Sequence, residues 1–283
     1  MANKIIARTD GSRPSFLIKN GVPDIAGALH PEWNGYVNPC SAALQQAIGC
    51  TGRINYSKNH VGTGFLIAGN LIITNRHVLQ QVAKQRDGKW LFYNNVGIDF
   101  GFEYEARTTY QPRAFKKVVF AGPQINGTNI DHTKADIALI ALEGETDTTL
   151  QQPMAYNLST SLLPGTKIFA LGYPNIPKGG ETPESAAVFN STYGVKRIAP
   201  GEIIAGSDPQ YPGRLCHDAS TLGGNSGSLI VACGQEGIAA ALHYGGIYAD
   251  INENWSHSLA HFCGTGANPC LKEHFDAYGV KYT

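Results

Sequence analysis

Short runs of β-branched and aromatic residues, separated by turn residues, recur along most of the chain and limit its fold more than any other feature. A first set of predicted strands covers residues 64–68, 71–74, 90–94, 117–121 and 137–142. The pattern lapses around residues 147–161, and a second set covers residues 167–171, 187–195, 202–205, 228–231 and 238–244. Because few helical segments interrupt these strands, we expect two successive β units, each a sandwich or a barrel.

The length of 283 residues agrees with two packing units, since domains average about 150 residues, or with one large all-β domain. Residues 1–38 show no sustained hydrophobic period, so we interpret the N-terminal part as an extension that lies over the body of the protein. The predicted division is an extension at 1–44, a first β unit at 45–150, and a second β unit with a C-terminal helix at 151–283.

Two short helices are also predicted. The first begins at Ser41, a good N-cap residue, and ends at Gly49. The second follows Pro269, where apolar residues at 271, 275 and 278 have helical spacing and Gly279 comes after them.

The charge pattern narrows the choice of partners. The chain has 22 Lys and Arg and 22 Asp and Glu, without a run of five or six like charges, so nucleic acid is not expected as a partner. It has no apolar run near the ~18 residues of a membrane helix, and its N-terminus lacks the apolar core of a signal peptide. We therefore expect no membrane contact and a cytoplasmic location, or secretion if an export signal was removed. The oligomeric state is left open.

Six cysteines fall in three neighbouring pairs, namely Cys40/Cys50, Cys216/Cys233 and Cys263/Cys270. Disulfides between them would fit an oxidising compartment. Without an export signal, we expect reduced and buried thiols instead.

The segment Gly-Gly224-Asn-Ser226-Gly227 precedes a predicted strand. A nucleophilic hydroxyl belongs on such a turn, because glycine lets backbone amides point at a developing oxyanion. Ser226 is thus the candidate nucleophile, and the amides of Gly224 and Ser226 form the candidate oxyanion hole. A plain glycine turn is the alternative; a phosphate-binding loop would need a Lys-Ser/Thr pair that is missing here.

A serine nucleophile needs a base, and the base needs an acid that orients it. His77 is predicted to end the second strand of a hairpin, and Asp136 comes directly before a buried strand. Taken singly, His77 could be a structural histidine and Asp136 an ordinary turn residue.

The motifs Thr-Asn-Arg-His77-Val, Ala-Asp136-Ile-Ala-Leu and Gly-Gly-Asn-Ser226-Gly-Ser, in this order, resemble those of the chymotrypsin-like (trypsin-like) serine peptidases, and most of all the bacterial glutamyl endopeptidases. The resemblance extends from about Gly52 to the C-terminal helix. It implies an all-β fold of two six-stranded antiparallel β-barrels, with the catalytic residues between them. It also implies a serine endopeptidase that acts on proteins or peptides and needs no metal or cofactor.

In that family the histidine takes the proton of the serine while the aspartate holds the imidazole, and the resemblance assigns these roles to His77, Ser226 and Asp136. The alternative is a catalytically weak binding or scaffold protein of the same fold, although such proteins usually lack a triad residue. An esterase or acyltransferase could use the same residues.

The resemblance also implies a specificity. Cleavage after Lys or Arg normally requires an acid six residues before the nucleophile, where this chain has Ser220. Thr221 and His243 match pocket residues of the glutamyl endopeptidases and are assigned as donors to a substrate carboxylate, and Gly246 as a backbone partner of the bound peptide. We therefore expect cleavage after Glu, with Asp as a second candidate, unless His243 is merely a core histidine.

Three further residues carry expectations. Asn225 stands where the trypsin branch has an Asp that pairs with a new N-terminus, so we expect no such activating ion pair. His257 is assigned as a possible support behind the pocket. His257 and His261, with Cys263 and Cys270 after them, mimic half of a zinc pattern. The resemblance implies, however, that the segment after His243 returns as a strand, on which the two histidines would lie about 13 Å apart. We therefore expect no metal site.

Overall fold

Strands form most of the fold. The computed structural model of the chain describes residues 8–25, 32–38, 41–104, 112–125, 130–144, 162–206, 208, 210–232, 239–247, 253–264 and 266–282. The strands are β1 Phe16–Lys19, β2 Val22–Pro23, β3 Thr51–Tyr56, β4 Asn59–Ala68, β5 Leu71–Thr74, β6 Ala83–Arg86, β7 Lys89–Phe92, β8 Val96–Asp99, β9 Pro112–Ala121, β10 Ala138–Leu142, β11 Lys167–Gly172, β12 Arg197–Ala205, β13 Arg214–His217, β14 Leu229–Ala232, β15 Ala239–Ile247 and β16 Glu253–Ser258. The helices are α1 Glu32–Val37, α2 Ser41–Cys50, α3 Arg76–Val82, α4 Pro183–Phe189, α5 Leu259–Cys263 and α6 Lys272–Ala277.

The first barrel closes in the order β10-β5-β4-β3-β8-β9 with antiparallel neighbours. Side chains from five of its strands are fully buried, among them Ile54, Phe65, Ile73, Ile98 and Leu139. The predicted strand at 90–94 became β7, which pairs with β6 in a separate hairpin.

The second barrel runs β11-β14-β15-β16-β13-β12, and it closes because β12 also pairs with β11. The fold is therefore two six-stranded antiparallel β-barrels, as the sequence predicted. Buried apolar side chains from its strands pack together, including Ile168, Ile203, Leu215, Ile230 and Ala241.

The N-terminal segment adds a strand to the second barrel. β1 pairs antiparallel with β12, with Phe16 opposite Ile198. Helix α2 runs across position 44, and position 150 lies outside the described residues. The division of the chain into domains at 44 and 150 stays a prediction.

Residues 187–195 were predicted as a strand, and this was wrong. Helix α4 occupies the start of that range, and β12 begins only after its end. Thr182 and Ser185 form a capping box that starts the helix, and Asn190, at φ 47°, ends it. The capping residues therefore outweigh the strand-like appearance of Ala-Val-Phe.

The two predicted helices were correct. α2 spans Ser41–Cys50, and α6 lies within the predicted C-terminal segment. No helix in the described ranges is long and apolar enough to cross a membrane.

The described cysteines carry no disulfide: Cys50, Cys216, Cys263 and Cys270 are free thiols. Burial raises the pKa of Cys50 to about 12. Cys40 and Cys233, the suggested partners of Cys50 and Cys216, lie outside the described residues.

A buried lysine joins the two barrels. The Lys196 ammonium, just before β12, donates 2.8 Å hydrogen bonds to the carbonyl oxygens of Ile48 and Phe100, on the side of the first barrel. It also lies 3.7 Å from the carboxylate of Glu103. Because a buried ammonium is costly unless it is paired, these contacts fix the second barrel against the first.

Candidate active site

His77 and Asp136 form a buried pair. Nδ1 of His77 lies 2.5 Å from one carboxylate oxygen of Asp136, and the backbone N–H of His77 donates to the other oxygen at 2.9 Å. Burial alone would raise the pKa of Asp136, but the charge and the hydrogen bonds of His77 hold it below its usual value. Asp136 therefore fixes both the tautomer and the orientation of the His77 ring.

The local fold brings the two residues together, although not as predicted. β5 ends at Thr74, and His77 lies in the first turn of α3, so the expectation that His77 ends a strand was wrong. Asn75 adopts an extended conformation before the helix and donates from its amide to the Asp136 carbonyl at 3.0 Å. This turn points His77 back towards the start of β10.

The Ser226 loop lies against the first barrel. The Ser226 carbonyl accepts a 2.8 Å hydrogen bond from the N–H of Thr63 on β4. A Cβ atom at Gly62 would lie 2.8 Å from Val78 and 3.2 Å from the Ser226 oxygen, so the loop packs next to the residue that follows His77. Gly227, at φ +90°, is required, because a Cβ there would overlap the Thr63 carbonyl.

The peptide groups of this loop have fixed orientations. The Gly223 carbonyl accepts from the Asn175 N–H at 2.6 Å, and the Asn225 carbonyl accepts from the Ser228 N–H at 2.8 Å. In a trans peptide the N–H points away from the C=O, so the N–H groups of the next residues, 224 and 226, point away from these partners. Neither N–H has an acceptor among the described residues. Two free N–H groups in one loop can bind an anionic oxygen.

Thr63 and Asn175 were missed by the sequence analysis. The Thr63 hydroxyl donates to the Gly224 carbonyl at 2.8 Å and accepts from the Tyr173 N–H at 3.2 Å. A Cβ at Gly224, which has φ +91°, would lie 2.5 Å from the Tyr173 carbonyl. The loop is thus confined by both barrels, and no local motif marks the residues that confine it.

The Asn225 side chain faces the second barrel. Its Oδ1 accepts from the Ser228 hydroxyl at 3.2 Å, and the residue is buried. Asn225 thus holds the loop through a hydrogen bond.

His243 is held next to the same loop. Its backbone pairs with Ser228 and Gly227, and its Nδ1 lies 3.3 Å from Nε2 of His217. Burial, His217 and His77 together hold the pKa of His243 well below its usual value. Burial likewise lowers the pKa of His217 to about 3. Both rings are therefore neutral at neutral pH. The sequence analysis missed His217, which the sequence marks only as a histidine that follows Leu215 and Cys216.

The expected donor role of Thr221 needs a correction. Its hydroxyl donates to Oδ1 of Asn254 at 2.7 Å, and Nδ2 of Asn254 donates to the Ala219 carbonyl at 2.6 Å. The Thr221 hydrogen is therefore already engaged. Asn254 was missed because it comes from a strand far along the chain.

Gly246 lies on β15 opposite Asn254 on β16. The other edge of β15 pairs with β14 only from Ala239 to Leu242. Beyond His243, that edge has no strand partner in the described part of the chain, so its backbone is open to an extended peptide.

His257 contacts Asp136, whereas the sequence analysis had assigned it a place behind the substrate pocket. Its Nε2 accepts from the backbone N–H of Asp136 at 3.0 Å, and its ring stacks on Tyr244 with centroids 4.1 Å apart. Burial lowers the pKa of His257 to about 4. The ring is thus neutral and acts as a hydrogen-bond acceptor.

The strand predicted to carry both His257 and His261 ends at Ser258, and His261 lies in α5. The separation argument for these two histidines was therefore wrong. No group of three or more His, Cys, Asp or Glu residues in the described ranges could hold a metal ion.

Comparisons with known proteins also point to a serine peptidase. A family model described as a trypsin-like peptidase domain matches residues 62–239. A probable serine protease of Lysobacter enzymogenes is 30% identical over 272 residues, which cover 87% of this chain and 70% of that protein. A structure of a mutant human heparin binding protein matches with a TM-score of 0.55 at 12% identity, covering 81% of this chain and 90% of the other, and this likeness shows the fold alone. The chain belongs to the trypsin-like peptidase family and is a serine endopeptidase.

Proposed function

We propose that the enzyme cleaves peptide bonds with Ser226 as nucleophile, His77 as general base and Asp136 as the residue that orients the base. The 2.5 Å contact between His77 and Asp136 carries this proposal. Ser226 attacks the scissile carbonyl, and His77 takes its proton and then gives it to the leaving amine. Water releases the acyl group from Ser226 in the second half of the reaction.

The N–H groups of Gly224 and Ser226 bind the oxyanion in this proposal. The hydrogen bonds of the Gly223 and Asn225 carbonyls support it, because they orient both peptides before substrate arrives. Donors that need no reorganisation stabilise the developing charge most effectively.

For specificity, we propose a preference for Glu before the scissile bond, with Asp as a second candidate. Ser220 offers no charge to a basic side chain. A neutral His243 that accepts from His217 at Nδ1 carries its proton on Nε2, and this N–H is the donor we assign to the substrate carboxylate. Thr221 then serves as a wall of the pocket. The open edge at Gly246 pairs with the peptide chain before the scissile bond.

The decisive experiment is a digest of a denatured protein mixture by the wild type and by Ser226→Ala, with cleavage sites mapped by mass spectrometry. We expect cleavage by the wild type, mainly after Glu, and none by the variant. Cleavage that persists in Ser226→Ala overturns the assignment of the nucleophile. Sites dominated by Lys, Arg or aromatic residues overturn the acidic specificity and leave the peptidase activity standing.

A further inference from the structure

Residues 218–221 connect β13 to the Ser226 loop, and they form the wall of the proposed pocket. This wall is bound by the N-terminal segment. Nε of Arg13 donates to one carboxylate oxygen of Asp218 at 2.8 Å, and Nη2 lies 2.8 Å from the other. The Ser220 hydroxyl donates to the Arg13 carbonyl at 2.5 Å. Arg13 therefore holds two residues of the wall, one with its side chain and one with its backbone.

The ion pair between Arg13 and Asp218 is buried, with exposed fractions of 8% and 2%. Asp218 also accepts a 2.8 Å hydrogen bond from the N–H of Glu202. A fork of two parallel N–H···O contacts fixes direction as well as distance. Without the Arg13 guanidinium, the buried carboxylate would keep only the half-exposed Arg8, 3.4 Å away, and would be drawn towards it and towards water.

The opposite side of the wall is bound by Asn254, which contacts Ala219 and Thr221. Contacts therefore alternate along the segment. The side chains of 218 and 220 face Arg13, whereas the contacts of 219 and 221 are with Asn254. The wall is thus held from two sides, by the N-terminal segment on one and by Asn254 of the second barrel on the other.

Arg13 is itself well fixed. Its guanidinium lies 5.4 Å from the centre of the Trp33 ring, and the Trp33 indole N–H donates to the Ser12 carbonyl at 3.2 Å. Two residues further on, Ser15 accepts hydrogen bonds from Arg197 at its hydroxyl and at its carbonyl, at 3.0 and 2.5 Å. The segment thus presents Arg13 to the wall as a rigid group.

We infer that Arg13 is a positioning residue for substrate specificity, which acts through Asp218 and Ser220 on the residue before the scissile bond. The inference rests on the proposed function. The chemistry at Ser226 does not involve Arg13, so its loss should weaken recognition of the substrate side chain more than bond cleavage itself.

The test uses the full chain with Arg13→Ala, Arg13→Lys and Ser220→Ala. Lys19→Ala is the matched control, because Lys19 lies in the same segment in a half-exposed ion pair with Asp24. The first readout is the labelling rate of Ser226 by a small phosphonofluoridate, which needs no pocket. The second is kcat and KM for peptides that differ only in the residue before the scissile bond, namely Glu, Gln, Ala or Leu.

We expect Arg13→Ala to label within about threefold of the wild-type rate. Its KM for the best peptide should rise at least tenfold, and its preference for that peptide over the Ala peptide should fall by a similar factor. Arg13→Lys keeps the charge but cannot form the two parallel contacts, so its KM and its preference should lie between those of the wild type and of Arg13→Ala. Lys19→Ala should match the wild type.

The inference is overturned if Arg13→Ala and Ser220→Ala both keep the wild-type preference for the best peptide over the Ala peptide. A parallel loss of labelling and cleavage in both also overturns it, because Arg13 would then stabilise the fold as a whole. Should Arg13→Ala not fold, Ser220→Ala decides, since it removes a single hydrogen bond. A wild type that neither labels nor cleaves contradicts the proposed function instead, so the two failures are distinct.

Discussion

The backbone N–H of Asp136 donates a 3.0 Å hydrogen bond to Nε2 of His257. This bond requires a neutral ring with its proton on Nδ1, and burial keeps the ring neutral by lowering the pKa of His257 to about 4. His257 therefore fixes the backbone N–H of the residue that orients His77, while the Asn75 amide holds the carbonyl of the same residue.

Replacing His257 by Phe should slow catalysis without weakening substrate binding. Phe keeps much of the stacking surface but cannot accept the hydrogen bond, so the buried N–H of Asp136 loses its partner. We expect kcat to fall about 5- to 100-fold with KM within about twofold, measured on an ester substrate. His257→Gln, which keeps an acceptor, should recover part of the loss. A rise in KM alone would show that His257 belongs to the pocket.

Thr63→Val tests the fixed orientation of the Gly224 peptide. Val has nearly the same shape but lacks the hydroxyl that binds the Gly224 carbonyl. We expect kcat/KM to fall about tenfold, with an equal loss of affinity for a peptide boronate that mimics the tetrahedral intermediate. Thr192→Val removes an exposed hydroxyl and is the control. An unchanged boronate affinity would separate Thr63 from the oxyanion hole.

Ser226 and His77 should act as one unit. Ser226→Ala and His77→Ala should each lower turnover by a similar factor, and the double variant should be no slower, because effects of cooperating residues do not add. Single-turnover rates on an activated ester measure all three. A double variant much slower than both single variants would contradict the joint role.

The preference for Glu over Gln should depend on pH through His243. The pKa of His243 lies well below its usual value in the free enzyme, so its ring is neutral there. A carboxylate bound at Nε2 favours a second proton on Nδ1, for which Nε2 of His217 becomes the acceptor. Binding of a Glu peptide therefore takes up a proton, while binding of a Gln peptide does not. The ratio of the two kcat/KM values should therefore fall as pH rises from 6 to 9. His243→Ala should lose the preference at every pH, and a wild-type ratio that stays high and flat would exclude proton uptake.

Stability should fall in mild acid. The pKa values of His217 and His257 are lowered to about 3 and about 4 in the folded protein, against 6.5 for an ordinary histidine. Between pH 4 and 6.5 the unfolded chain thus binds more protons, so this stability is full above pH 6.5 and is lost as pH falls. At pH 5 each histidine should cost on the order of 2 kcal/mol of unfolding free energy, measured with denaturant at pH 7.5 and 5. His217→Gln should reduce the pH dependence by about one proton; an equal dependence would mean that His217 is not buried in the neutral form.

The sequence predicted what local patterns encode. Glycines on both sides of Ser226 mark a special turn, and the alternation of strands and turns indicates two successive β units, which the resemblance identifies as barrels. Arg13 and Asp218 were not predicted as partners, because 205 positions separate them. The pairing of β1 with β12 brings the two residues together in the fold.

The same holds for His217 and Asn254, which gain their partners through strand order in the second barrel. His257 shows a further limit: the resemblance assigned it a supporting role behind the pocket, but only the register of β16 decides that it contacts Asp136. Residue types therefore indicated the chemistry, and distant pairing decided which groups meet.

The pairing of β1 with β12 also affects how the enzyme is made. Ser15 leaves the ribosome 182 residues before Arg197, its partner. At the usual rate of translation, β12 emerges about 10 to 40 s after β1. During this interval Phe16 and Ile18, which are buried in the folded protein, remain exposed. The first barrel, whose strands all lie between residues 51 and 142, can close during this wait. The N-terminal segment therefore reaches its final contacts only after the whole first barrel and β12 have been synthesised.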